Sequence, residues 1–288
     1  MIIPSFSYGI IAAAYPRAIA QVSTPVQPGV AIFGTTASSG SFPPNNVSMQ
    51  FSVGGVGNPQ LRYTYWDGTT GASSVGYGSY YIPSKQIVSP YNDTTEKRIT
   101  AYVIKTDTGQ TGDISSIFVT GVTFSHFDAR GCTNCSSVSM YFYGAPNGCP
   151  PIMDKFPDSP YMDSIMIMGT QSLTSVILSS TTTALRYINF QYCSNLQSLR
   201  MPGIGSNFHG FFGGIYSKIF SGLDLRYCNL NAAALNQVYT DLATASPYKG
   251  SAYIRVYGNP GISTDSPSIA TAKGYVVYGS SSEGSTAP

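Results

Sequence analysis

Charge is what this sequence has least of. Lysine plus arginine number 15 and aspartate plus glutamate 13, together 10% of 288 residues, where an ordinary globular domain carries about 25%. Nucleic-acid binding rests on clustered basic side chains that displace counterions from phosphates, and the one adjacent basic pair is Lys97-Arg98. A net charge of +2 argues equally against an anionic membrane surface. Histidine is represented by His126 and His209 and glutamate by Glu96 and Glu283, a thin stock for acid-base catalysis. His126 stands between apolar positions, which fits a strand surface better than a general base. Asp154, Asp158 and Asp163 are spaced unlike any calcium loop, and with no register partner for Asp224 there is no carboxylate pair for glycoside hydrolysis. No Gly-x-Ser-x-Gly elbow or phosphate-binding Gly-x-x-x-x-Gly-Lys-Ser/Thr occurs. These absences predict a protein that is not an enzyme and holds no cofactor.

Long apolar runs are also missing. A membrane-spanning helix needs about 20 apolar residues, and the nearest candidate, residues 2–20, is broken by Pro4, Pro16 and Arg17. Membrane insertion is therefore not expected. The same segment ends in Ala18-Ile19-Ala20, a small-residue pattern like a secretory cleavage site, but no basic residue precedes its apolar stretch. The five cysteines, at 132, 135, 149, 193 and 228, contain one close pair, Cys132-Thr133-Asn134-Cys135. A structural zinc site needs four ligands, and no second pair or histidine spacing supplies them, so no metal is expected.

What is present is enough to fold. Apolar residues make up 42% and aromatics 13%, with 22 tyrosines, sufficient for a sizeable core. Residues 1–45, with prolines at 4, 16, 25, 28, 43 and 44, read as an extended arm, and residues 280–288 as a Ser/Gly-rich flexible tail. From Val47 the pattern alternates: Val47, Met49, Phe51 and Val53, then Leu61, Tyr63 and Tyr65, then Ile99, Ala101 and Val103. Period two between Gly-rich turns predicts strands, and residues 46–110 are expected to form a small antiparallel β-sandwich. The stretch Tyr63-Thr64-Tyr65-Trp66-Asp67-Gly68-Thr69-Thr70, followed by Lys97-Arg98-Ile99-Thr100-Ala101-Tyr102-Val103, resembles the Ig-like PKD domains, with their Trp-x-x-Gly-Asp-Gly-Thr turn shortened here.

Residues 111–279 repeat. The form apolar-x-x-apolar-x-apolar occurs eight times, with middle residues Ile117, Phe127, Val138, Ile165, Val176, Ile188, Leu199 and Leu223 separated by 10, 11, 27, 11, 12, 11 and 24. A period in the twenties with a half-period of 11 or 12 predicts a solenoid whose units bury their apolar faces only against each other. Asn231 is placed to cap a helix over 232–243 with Leu235, Val238, Tyr239 and Leu242 on one face. A shorter helix is expected over 268–273, ended by Gly274, before a capping strand at 275–278. Residues 141–160 and 203–217, the second with Phe208, Phe211 and Phe212, interrupt the register as loops.

Phe220-Ser221-Gly222-Leu223-Asp224-Leu225-Arg226-Tyr227-Cys228-Asn229-Leu230 fits the leucine-rich-repeat consensus, and Leu185 to Cys193, Ile254 to Asn259 and Phe127 to Cys132 repeat its core. The chain resembles irregular leucine-rich-repeat proteins of bacteria and phages, also through Gly131-Cys132-Thr133-Asn134 and Tyr192-Cys193-Ser194-Asn195-Leu196. The resemblance implies that Cys132, Cys193 and Cys228 turn inward as ladder residues. It also implies a mainly β fold, a β-sandwich followed by a leucine-rich-repeat-like solenoid with one or two helices near the C-terminus. PKD-like sandwiches followed by such repeats are similar to phage virion surface components: fibres, decoration proteins or tail proteins. The implied localisation is the virion, and the implied partners are other virion proteins, further copies of the chain, and a host-surface glycan or protein. A secreted bacterial adhesin or glycan-binding module is the alternative. Outward strand positions expected on the repeat sheet form a candidate binding surface of Arg186, Arg200, Asp224, Arg226, Arg255 and Tyr257, with Asn189 among them and Arg130 one unit earlier.

Overall fold

A computed structural model describes residues 29–36, 39–43, 48–54, 58–88, 95–108, 112–142, 148–208, 222–246 and 252–280. Most of the expected arm, the tail from 281, Val47, His209, Phe211, Phe212 and Phe220 lie outside them. The chain is mainly β and winds into a β-solenoid of about 6 turns. Its first strands are β1 (Val30–Thr35), β2 (Ser39–Phe42), β3 (Ser48–Gly54), β4 (Pro59–Thr64), β5 (Thr70–Ala72), β6 (Gly78–Tyr81), β7 (Lys85–Val88) and β8 (Lys97–Lys105). The solenoid strands are β9 (Asp113–Thr120), β10 (His126–Asp128), β11 (Ser137–Tyr141), β12 (Ile152–Met153), β13 (Ser164–Met168), β14 (Ser175–Ile177), β15 (Tyr187–Asn189), β16 (Ser198–Arg200) and β17 (Gly222–Asp224). Helix α1 (Ala232–Asp241), β18 (Ala252–Arg255), helix α2 (Ser268–Thr271) and β19 (Tyr275–Tyr278) complete it.

The half-period has a simple physical origin. The coils from β11 to β16 carry two strands each, one on each side. Strands β9, β11, β13, β15, β17, β18 and β19 stack in parallel on one side, and β12, β14 and β16 on the other. Ile117, Val138, Ile165, Ile188, Leu223 and Ile254 are thus in register on the first side, and Val176 and Leu199 on the second. Every described member of the eight apolar triplets is buried. Filling the space between two sheets with aliphatic side chains stabilises each coil by about 1.5–3 kcal/mol per fully buried residue. Where the second strand is replaced, α1 packs against β16, and α2 against β19 and α1.

The helices follow their sequence signals. Asn231 caps α1, its side chain accepting from the Ala234 N–H at 2.9 Å, and Leu235, Val238, Tyr239 and Leu242 are buried. The helix ends two residues short of the expected 243, because Leu242 leaves helical geometry (ψ 135°). Gly274 follows α2 with φ 88°.

The N-terminal strands do not stand apart from the solenoid. Strand β9 pairs antiparallel with β3 and parallel with β11, so one nine-stranded sheet crosses the expected boundary at 110. Residues 30–35, expected in the arm, form β1, which lies between β8 and β10 in a five-stranded sheet. Its partners are distant in sequence, which hides the strand from a local reading. Phe33 of β1 fastens the two sheets together, meeting Phe51, Phe124 and Phe127 edge-on at ring distances of 5.8, 5.3 and 5.2 Å. The alternating residues Met49, Phe51, Val53, Leu61, Tyr63, Tyr65, Ile99, Ala101 and Val103 are all buried.

Candidate functional site

After β9, β13, β15, β17 and β18 of the first sheet the backbone turns a corner built the same way. Four residues beyond the central apolar position stands a residue in the left-handed region: Gly121 (φ 70°), Gly169 (76°), Tyr192 (63°), Tyr227 (56°) and Gly258 (82°). Its N–H donates to the next coil, Gly169 to Gln191 O at 3.2 Å, Tyr192 to Arg226 O at 3.0 Å and Tyr227 to Tyr257 O at 3.1 Å. The residue after it turns inward. Cys193 Sγ donates to Ile167 O at 3.2 Å, Cys228 Sγ to Phe190 O at 3.1 Å, and Asn259 Nδ2 to Leu225 O at 2.7 Å, each reaching back one coil. Asn259 Oδ1 also accepts from Leu230 N–H at 3.0 Å. Cys132 Sγ reaches Val30 O at 3.5 Å, so the first ladder position is tied to β1.

All five cysteines are free thiols and buried. Burial pushes Cys135 and Cys193 up to about 12 and raises Cys132, Cys149 and Cys228 as well. Protonated thiols are the donors that the ladder uses, whereas metal binding and nucleophilic attack need thiolate. Among the described residues no group of three or more His, Cys, Asp and Glu is arranged to hold a metal ion.

The expected binding surface divides. Asp224, Arg226, Arg255 and Tyr257 meet on the outer face of the first sheet, with Asn189 in register beside Asp224. Asp224 and Arg255 are almost completely buried, at 4% and 5% exposure. Arg226 embraces the Asp224 carboxylate, Nε lying 2.8 and 2.9 Å from its two oxygens and Nη2 2.6 Å from Oδ2. Its Nη1 donates to Tyr257 Oη at 2.8 Å, and the guanidinium lies 5.4 Å from the Tyr257 ring centre. Arg255 Nη1 approaches the same carboxylate at 3.9 Å. Burial works against the charge on Arg226, but the hydrogen bonds to Asp224 and Tyr257 outweigh it and raise its pKa. Arg255 is lowered, first by burial and then by the charge of Arg226, with Asp224 opposing.

Arg186 and Arg200 do not join this group. Arg186 forms an ion pair with Asp163 in the coil before it. Arg200 is on β16, in the opposite sheet, and its Nε lies 2.7 Å from Asp241 of α1. A step of eleven residues crosses from one side of the coil to the other, which is why a single stripe could not hold both Arg200 and Arg226. Arg130, one unit earlier, pairs with Asp128 at 2.7 Å.

Two residues outside that expected group are the most exposed aromatics of the corner. Tyr192 and Tyr227 are 44% and 40% exposed, and their rings stack at 4.9 Å with planes 3° apart. Tyr227 also meets Tyr257 edge-on at 5.4 Å. A side chain at Gly258 would place its Cβ 2.5 Å from the Tyr227 ring, so glycine is required there both for backbone geometry and for clearance. The sequence signal was the dipeptide Tyr-Cys, repeated at 192–193 and 227–228 where other coils read Gly121-Val122, Gly169-Thr170 and Gly258-Asn259.

No protein-family model, curated protein or solved structure matches the chain. The ionic groups of this face are engaged with one another. Asp224 is committed to two guanidiniums and Asp163 to Arg186. His126 lies elsewhere, on β10, its Nδ1 3.8 Å from Glu96. Burial lowers its pKa, the Glu96 carboxylate pulling the other way.

Proposed function

We propose that the chain is a non-enzymatic structural component of a phage virion, a fibre, decoration or tail protein present in multiple copies, whose repeat surface contacts virion partners or the host. The observation that carries the reading is the division of labour on the solenoid. Charges on and beside its stacked strands pair within the coils, Asp224 with Arg226 and Arg255, Asp163 with Arg186 and Asp241 with Arg200, while an uncharged tyrosine ridge faces outward. Aromatic side chains presented on a rigid frame lose little entropy on contact, which suits an assembly or attachment surface. Supporting it are the repeat units, which we take as leucine-rich-repeat-like, and the N-terminal strands, which we take as a PKD-type sandwich fused to them.

Mass spectrometry of purified particles tests the reading. Peptides of the chain at many copies per particle are the expected result. Absence from particles, together with a secreted form beginning after Ala20, overturns it in favour of a bacterial adhesin or glycan-binding module. The exposed Tyr192–Tyr227 ridge is the observation that keeps that second reading in view.

A further inference from the structure

We propose that the Tyr192 corner is a subsite for a neutral saccharide, with a sugar ring stacked on the face of Tyr192 turned toward Gly169. The inference deepens the attachment reading and rests on it for its biological setting.

The first support is that the fold has no need of tyrosine there. The same corner is made by Gly121, Gly169 and Gly258 in other coils. A residue with a side chain pays about 1–2 kcal/mol for the left-handed conformation. Ring stacking returns about 0.5–1.5 kcal/mol beyond what burial contributes, yet the rings still leave 44% and 40% of their residues' area in solvent. Glycine makes the same corner without that backbone cost, so the corner itself does not call for an exposed ring. Sparsely populated backbone conformations kept at the surface mark sites of contact.

The second support is the shape of the ridge. Tyr227 is covered on one ring face by Tyr192 and is met by Tyr257 and the Gly258 backbone on its other side. Tyr192 stacks on Tyr227 with one face only, and in the preceding coil its place is taken by Gly169, which carries no side chain. The ring column stops one position short. A pyranose presents a flat patch of C–H groups of about the size of a phenol ring, and such a patch is attracted to the negative face of the ring.

The third support is the polar sequence at the same corner, where Gln191 precedes Tyr192 and Gln171 stands two residues after Gly169. Gln171 is exposed and Gln191 partly so, and neither side-chain amide bonds to another described residue. Each offers a donor and an acceptor, the combination that vicinal hydroxyls require. Arg226, next to Tyr227 in sequence, is already bound to Asp224 and Tyr257, and Arg186, on the near side of Tyr192, is bound to Asp163. An uncharged ridge favours an uncharged ligand.

The 288-residue chain and its Tyr192→Gly variant are to be tested against immobilised glucans, mannans, xylans and galactans, with heparin as the charged control. Glycine suits the corner, so the variant is expected to keep its circular dichroism and unfolding temperature. The expected result is binding to at least one neutral polysaccharide, weakened about tenfold or more in the variant. Binding to none of them, equal binding by the variant, or binding to heparin alone overturns the proposal. So does a protein ligand lost in the variant when no polysaccharide binds. Particle mass spectrometry separates the two readings: a chain found in particles that binds no polysaccharide sinks the saccharide site alone. A chain absent from particles that loses polysaccharide binding on Tyr192→Gly sinks the virion reading alone.

Discussion

Tyr192 and Tyr227 lie parallel, 4.9 Å apart, each in a left-handed backbone conformation that neighbouring coils assign to glycine. Alanine at either position keeps the backbone cost and loses the stack, whereas glycine loses the stack and relieves the cost. Tyr192→Ala and Tyr227→Ala are therefore expected to be less stable than the matching glycine variants by about 1 kcal/mol. Urea unfolding of the four variants measures the difference. Equal stability of the alanine and glycine forms contradicts the assigned backbone geometry.

The inward ladder predicts a ranking. Asn259→Ala strands the carbonyls of Leu225 and Val256 and the N–H of Leu230, at a cost of about 3 kcal/mol. Cys193→Ala removes one weak thiol donor from Ile167 O and about one methyl-sized volume, an expected loss of about 1–2 kcal/mol. Chemical denaturation of both variants checks the order, and a larger loss for Cys193→Ala reverses the account of the ladder.

Asp224 serves two guanidiniums in a nearly water-free setting. Asp224→Asn leaves the positive charges of Arg226 and Arg255 facing each other and is expected to cost about 3–5 kcal/mol. The double variant Asp224→Asn with Arg255→Met relieves part of that repulsion and is expected to recover stability relative to the single variant. A double-variant cycle by urea unfolding reads the coupling.

Acid sensitivity follows from two other carboxylates. Burial by itself raises Asp241 and Asp128. Hydrogen bonds from Arg200, the Met201 N–H and Gln237 in the first case, and from Arg130 in the second, leave both below the ordinary value. A depressed folded-state pKa means that the unfolded chain takes up protons first as pH falls. The stabilisation is complete above an unfolded aspartate pKa of about 3.9 and is lost below it. Thermal unfolding between pH 6 and 2 is expected to fall less steeply for Arg200→Ala combined with Arg130→Ala than for the parent. Parallel curves refute the assignment.

Buried thiols predict silence. At pH 8 a thiol reagent is expected to label none of the five cysteines in the native chain and all five in urea, and chelators are expected to leave the unfolding temperature unchanged. Native labelling of any of them contradicts the burial described.

Much of this architecture was written in spacing. The inward residues of every repeat, the capping of α1 by Asn231 and the ladder places of Cys193 and Cys228 follow from short-range pattern, because each is decided by neighbours a few residues away. Three features depend on distant partners and were not legible. Strand β1 is a short apolar run whose partners are β8 and β10. The two-sidedness of the coil separates Arg200 from Arg226, yet a half-period of 11–12 is the same number whether alternate strands share a side or oppose. The Tyr192 and Tyr227 corner breaks the rule that glycine or asparagine takes left-handed positions. Sequence reasoning had no ground to prefer tyrosine there.

The position of β1 orders the birth of the molecule. Val30 to Thr35 emerge from the ribosome early, but the residues that flank them, 97–102 on one side and 126–128 on the other, are made long afterwards. Until then β1 has both edges bare, and the Phe33 ring has neither Phe124 nor Phe127 to meet. The five-stranded sheet therefore closes only once the first coil of the solenoid has been synthesised. A chain that ends near residue 110 contains β8 for one edge of β1 but lacks β10 for the other, and a bare apolar edge of that kind is where aggregation begins.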